Sequence, residues 1–251
     1  MSAHRVSLSL VNDALFDPPA SPLPDWAKKL AVFDLETTGL DLHEARIVTA
    51  CATTIDENGQ IIGDEIEWLA DPGIEIPAMA ASVHGVTTER ARAEGRPAAE
   101  VVAEIVDKLR SFFEAGIPVV AYNAPYDFTI LREEAKRHGI EPLNNPMPVI
   151  DPLVIDKFLD RYRSGKRRLE ITAEFYGVEL LDAHNATADA VAAGRVAQAV
   201  ARKFSDRLSI DAATLHSLQV DWSKDLDESF ARFMIEKDPT FKASIGWPEK
   251  P

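Results

Sequence analysis

A single cysteine, Cys51, in 251 residues rules out an intrachain disulfide, and with it the stapled frameworks of small secreted domains. Cys51 stands in an apolar run and reads as a small core residue. No stretch of about 18 apolar residues occurs, which excludes a membrane-spanning helix. The N-terminal stretch has no sustained apolar segment before a small-residue cleavage site, so no secretory signal is expected and the expected location is cytoplasmic. Positive charge is also scarce: 27 Lys and Arg against 41 Asp and Glu leave a net charge of −14. That balance counts against a protein held on nucleic acid by bulk charge. It does not exclude an enzyme acting on nucleic acid, because binding follows the local field, and metal ions in a carboxylate site reverse its sign.

What is present is an ordinary hydrophobic fraction, 46%, in a chain long enough for one large domain with a small appendage. The proline-rich stretch 17–24 cannot form a helix or a central strand, so residues 1–27 read as a lead-in that Trp26 would dock on the domain. Strand-like runs follow at 30–35, 46–55 and 60–69, with Asn58-Gly59 as a hairpin turn between the second and third. Residues 97–114 place Val101, Val102, Ile105, Val106, Leu109, Phe112 and Phe113 at helical spacing. A buried strand at 117–122 leads into a helix at 125–138, and a short strand at 149–150 precedes helices at 152–161 and 169–176. An alanine-rich helix at 186–204 would allow close approach to a neighbour. Two short helices, 211–218 and 225–236, are expected beyond residue 206. A β-meander followed by alternating helices and strands indicates an α/β fold with a mixed sheet.

Three segments carry chemistry. Asp34 and Glu36 lie two apart near the end of an apolar strand, which puts both carboxylates on one face. Such a pair resists burial unless a cation offsets its repulsion, and a divalent ion does this well; two solvent-facing acids at a strand end are the bland alternative. Asp127 falls in a first helical turn after a buried strand, where a carboxylate also serves simply to stabilise the helix. Asn185 is a plausible N-cap, placing Asp189 near the start of the alanine-rich helix with His184 on the loop before it. Taken singly, each admits a structural explanation.

Taken together, in this order and spacing, Phe33-Asp34-Leu35-Glu36-Thr37-Thr38-Gly39, Tyr122-Asn123-Ala124-Pro125-Tyr126-Asp127 and His184-x4-Asp189 resemble the DEDD 3′→5′ exonucleases, in their histidine-containing branch. The chain is similar to the proofreading epsilon subunit of DNA polymerase III, to RNase T and to oligoribonuclease over roughly residues 30–204. The resemblance implies an RNase H-like mixed β-sheet flanked by helices at 28–205, with a small helical C-terminal appendage at 206–251. It implies two divalent cations, Mg or Mn, held by Asp34, Glu36, Asp127 and Asp189, with His184 as general base. Thr37, Leu40, His84 and Asn123 are the implied substrate contacts. For Leu40 plain core packing is an alternative, and for His84 a turn role beside Gly85. Ile150-Asp151 resembles the strand-end Asp before the family's mid-chain helix. Tyr122 and Pro125 depart from the more usual His-Asn-Ala followed by a non-proline residue.

The implied partner is the 3′ end of a single-stranded nucleic acid, with a DNA polymerase as a further candidate. The sequence leaves DNA and RNA both open, as it does the oligomeric state. A non-catalytic polymerase-associated subunit is an alternative, and an aspartyl-phosphate phosphatase a weaker one, since such enzymes want Asp where Glu36 stands. The basic run Arg161, Arg163, Lys166, Arg167 and Arg168 is expected either to track phosphates or to be a solvated loop.

Overall fold

The computed structural model describes residues 22–180 and 185–251. His184, the expected general base, lies outside the described residues, as does most of the proline-rich lead-in. Trp26 does dock: its indole donates to the Leu208 carbonyl at 3.0 Å, in a short 3-10 turn at Asp25–Ala27.

In chain order the elements are β1 (Leu30–Thr37), β2 (Ile47–Ile55), β3 (Ile66–Asp71), α1 (Ala78–His84), α2 (Thr88–Glu94), β4 (Arg96–Pro97), α3 (Ala98–Glu114), β5 (Val119–Val120), α4 (Ala124–Arg137), β6 (Val149–Ile150), α5 (Pro152–Leu159), α6 (Leu169–Phe175), α7 (Ala186–Lys203), α8 (Ser205–Leu208) and α9 (Ala212–Lys237). The sheet order is β4-β3-β2-β1-β5-β6. β1, β2 and β3 form the antiparallel meander, while β5 runs parallel to β1 and β6 parallel to β5. This is the expected mixed α/β sheet. The Asn58-Gly59 turn forms as expected, with Gly59 at a φ of 71°, but β3 begins only at Ile66.

The strand expected at 117–122 is only Val119–Val120, and the helices also differ from expectation. The helices expected at 211–218 and 225–236 are one continuous helix, α9. α1 and α2 were not expected, because each is only seven residues long and bounded by Pro77, Gly85 and Gly95, which read as loop punctuation.

The core explains the sheet's position. β1 and β2 are buried on both faces, so neither alternates. Phe33 points to one side, edge-on to Phe128 of α4 with ring centroids 5.9 Å apart. Val32 points to the other side, toward α7. There Gly194 leaves no room for a side chain, since a Cβ would lie 2.6 Å from both Val32 Cγ1 and Ile55 Cδ1. The alanine-rich helix therefore comes as close to the sheet as backbone allows. Cys51 is fully buried in the same cluster, and burial pushes its thiol up to about 12.

The sheet's other end is closed by side chains rather than by a strand. β6 is an edge whose outward N–H and C=O groups need partners. His216 Nδ1 of α9 accepts from Val149 N at 3.1 Å, Gln219 Oε1 accepts from Asp151 N at 2.7 Å, and Gln219 Nε2 donates to Val149 O at 3.0 Å. α9 also contributes Leu215 and Trp222 to the buried cluster that contains the sheet, Trp222 stacking on Phe158 at 4.7 Å.

Candidate active site

Close packing at Gly194 decides what meets on the α7 side of β1. Val32, Asp34 and Glu36 share that face, at about 6.8 Å per two residues along the strand. Asp189 precedes Gly194 by five residues, about 7.5 Å along a helix. With Val32 against Gly194, Asp189 is carried to Asp34 and Glu36. Ligand oxygens of these three carboxylates lie within 4.8 Å of one another. Asn185 caps α7 as expected, its side chain accepting from Thr187 N at 3.0 Å and Ala188 N at 3.1 Å.

Asp127 arrives from the opposite side. On the edge of β1 facing β5, Ala31 N is bonded to Pro118 O at 2.9 Å. β5 ends at Val120, so two pairs further along β1 the same edge is open. Asp127, in the first turn of α4, fills the gap: its Oδ1 accepts from Leu35 N at 3.0 Å. Asp127 is almost fully buried and lies close enough to Asp34 for their charges to interact. One of its carboxylate oxygens is thus committed to the backbone.

The site is acidic, with Asp34, Glu36, Asp127 and Asp189 close together. Among the described residues neither Asp34 nor Glu36 has an ion-pair partner. Desolvation raises the pKa of Asp34 well above the usual carboxylate range, and the charges of Asp127, Glu36 and Asp189 raise it further. Glu36 is pushed up to about 7 by burial and then by Asp189. Desolvation likewise raises Asp127, against the Leu35 N–H that favours its ionised form. Clustered hard oxygen donors fit a divalent ion.

The expected substrate contacts divide. Glu36, Thr37, Leu40 and His84 line one cleft of about 480 Å³. Leu40 is 86% exposed, so the core-packing alternative for it falls. Thr37 is buried, with its hydroxyl against the Gly39 carbonyl and the Tyr126 hydroxyl. A register shift between Glu36 and Thr37 turns the strand here, as bulges beside functional sites do. His84 is partly buried at the end of α1, and its Nδ1 accepts from Val86 N at 3.2 Å. Burial lowers the pKa of His84, which favours the neutral ring at pH 7. Asn123 is not in this cleft. It sits at a φ of 69° just before α4, with its backbone N–H on Asp151. Met79, Val83 and Tyr126 also line the cleft and went unrecognised in the sequence. Tyr126 was within reach of sequence reasoning, being adjacent to Asp127; Met79 and Val83 belong to the unexpected α1.

Two of the five cations of the basic run are structural. Arg163 and Arg167 both bond Asp156, which is fully buried, and are themselves nearly buried, so neither is free to follow phosphates. Arg161, Lys166 and Arg168 are exposed.

The exonuclease family profile (RNase_T) matches residues 31–197, a stretch that contains all four carboxylates. The chain belongs to the exonuclease family. It is a hydrolase-class domain with an RNase H-like fold, as its resemblance to the DEDD exonucleases implied. It is similar to DNA polymerase III PolC-type of Pediococcus pentosaceus, 30% identical over 183 residues that make up 73% of this chain and 12% of that relative. A DNA polymerase III subunit epsilon-like protein of Rhodobacter capsulatus is 34% identical over 125 residues, 49% of this chain and 16% of that one. The chain therefore corresponds to a small part of the curated relatives it matches. Among solved structures, E. coli exonuclease I in complex with a dT13 oligonucleotide shares the fold with a TM-score of 0.57 at 22% identity, over 70% of this chain and 42% of that one.

Proposed function

We propose that this chain is a metal-dependent 3′→5′ exonuclease that removes nucleoside 5′-monophosphates from the 3′ end of single-stranded DNA, in proofreading or repair. The observation that carries the reading is the convergence of Asp34, Glu36 and Asp189 within 4.8 Å, with Glu36 also lining the apolar cleft. Such a cleft suits the flat apolar faces of a terminal nucleotide. DNA is favoured over RNA by the names of the relatives, DNA polymerase III PolC-type and epsilon-like, and of the neighbour bound to dT13. The same names make a DNA polymerase the partner class. A cytoplasmic setting accords with this reading, and no described helix is long and apolar enough to cross a membrane.

Two divalent ions, Mg or Mn, would supply water activation and charge neutralisation on the phosphodiester when bound. Asp34, Glu36 and Asp189 would hold them, and Asp127 would complete the set from the side of α4. Neutral His84 and exposed Leu40 flank the terminal nucleotide, with Thr37 shaping the floor of its cleft and Asn123 shaping the turn that leads to Asp127. His184 is assigned as general base by the resemblance of His184-x4-Asp189 to the histidine-containing branch of the DEDD exonucleases.

The reading is tested by digesting 5′-labelled single-stranded DNA and RNA with magnesium, beside Asp34→Asn and a chelator control. A ladder shortening from the 3′ end of DNA, lost in both controls, is expected. An intact strand with either ion would move the reading to a non-catalytic binding subunit, and faster loss of RNA would reassign the substrate.

A further inference from the structure

The C-terminal segment reaches the site from behind through a carboxylate that the proposed chemistry does not use. Asp151, at the end of β6, is fully buried and is surrounded by N–H donors. Its Oδ1 accepts from Asn123 N at 3.0 Å and Leu153 N at 3.0 Å, and its Oδ2 from Ala124 N at 2.9 Å. One side-chain donor joins them, Trp247 Nε1, at 3.3 Å from Oδ2. Asn123 and Ala124 are the residues at which the chain turns into α4, three residues before Asp127. The left-handed backbone of Asn123 is tolerated where its own N–H and that of Ala124 are both held by Asp151.

Trp247 is fastened on several sides. Its ring lies 4.9 Å from that of His216, the residue that caps β6. Lys250 N donates to the buried Thr129 hydroxyl of α4 at 2.8 Å, Arg132 Nη2 donates to Lys250 O at 2.7 Å, and Arg132 pairs with Glu249 at 3.2 Å. All of these tail residues fall outside the stretch 31–197 that defines the family.

We propose that Trp247 is a positioning residue: it completes the donor shell of Asp151, which fixes the Asn123-Ala124 turn and through it the place of Asp127 beside Asp34. Its effect on catalysis rests on the exonuclease reading above; its effect on the turn does not. Among the described residues Ala124 N and Trp247 Nε1 are the donors to Oδ2, so without the indole N–H only Ala124 N fixes that oxygen and the carboxylate is freer to turn away from the Asn123-Ala124 backbone.

The test is Trp247→Phe, which keeps an aromatic ring against His216 but removes the N–H. Amide exchange is followed by NMR in the metal-free protein, and Mn²⁺ affinity is measured by calorimetry without nucleic acid. Faster exchange of the Asn123 and Ala124 amides by about fivefold, with β2 amides unchanged, and a similar loss of Mn²⁺ affinity are expected. In digestion assays kcat should fall with KM little changed. Exchange and Mn²⁺ affinity equal to wild type would overturn the positioning role, whatever the wild type does to DNA. Wild-type protein that leaves DNA intact, with exchange in the variant still accelerated, would instead sink the exonuclease reading alone. If Trp247→Phe does not fold, Thr129→Val, which removes the acceptor of Lys250 N, carries the same exchange measurement with the same two outcomes.

Discussion

Replacing Glu36 by Gln removes one of three carboxylates that the fold presses together, and it should make the metal-free protein more stable at pH 8. In the native state Glu36 is raised from an ordinary 4.5 to about 7. Between those values the folded protein holds a proton that the unfolded chain has released. Stability therefore falls as pH rises through that window, and is flat above it. At about 1.4 kcal/mol per pKa unit the shift corresponds to roughly 3 kcal/mol, of which about 2–3 lies between pH 5 and pH 8. Glutamine keeps the shape and cannot ionise, and it also relieves part of the repulsion on Asp34. Urea unfolding with a chelator at pH 5 and pH 8 measures the effect. The wild type should lose about 2–3 kcal/mol more than Glu36→Gln over this interval. Adding magnesium at pH 8 should favour the wild type, because an ion bound only by the folded state stabilises it. The reasoning is refuted if both proteins show the same pH dependence, or if Glu36→Gln is the less stable one at pH 8 without metal.

Three further outcomes follow from the packing. Gly194→Ala puts a methyl into the contact with Val32 and Ile55; it should cost about 1–3 kcal/mol in thermal unfolding and displace Asp189, with hydrolysis down by on the order of a hundredfold. Wild-type stability and turnover together would disprove the close-approach account. Leu40→Ala should leave stability within about 0.5 kcal/mol, because the side chain is exposed, while KM rises about fivefold at unchanged kcat as base contact is lost; a lowered melting temperature would mean that Leu40 packs internally after all. Asp156→Asn should cost about 3–5 kcal/mol in denaturant unfolding, by leaving Arg163 and Arg167 buried without their partner. A near-neutral result would show that those arginines reach solvent and are available to phosphates.

Local pattern sufficed for whatever depends on one segment at a time. The apolar runs of β1 and β2, the helical spacing of α3, the Asn185 cap and the Asp34–Glu36 alternation are consequences of periodicity and short-range hydrogen bonding, and all could be read in the residues. The family motifs added the order of the four carboxylates. Tertiary structure decided what no single segment encodes. Arg163 and Arg167 are indistinguishable in sequence from surface cations, and only the burial of Asp156 commits them to it. α9 is one helix whose buried stripe, Leu215, His216, Gln219, Trp222 and Ser223, runs through the gap left between the two expected helices, because polar His216 and Gln219 are buried against the β6 edge. Leu40 is apolar yet exposed, a combination that pattern assigns to the core and geometry assigns to a cleft. The sequence by itself determined which side chains can bind a cation. The contact of Gly194 with Val32, the unpaired Leu35 N–H that draws in Asp127, and the tail that braces Asp151 decided where those side chains meet, because each depends on backbones far apart in the chain coming within a few ångströms.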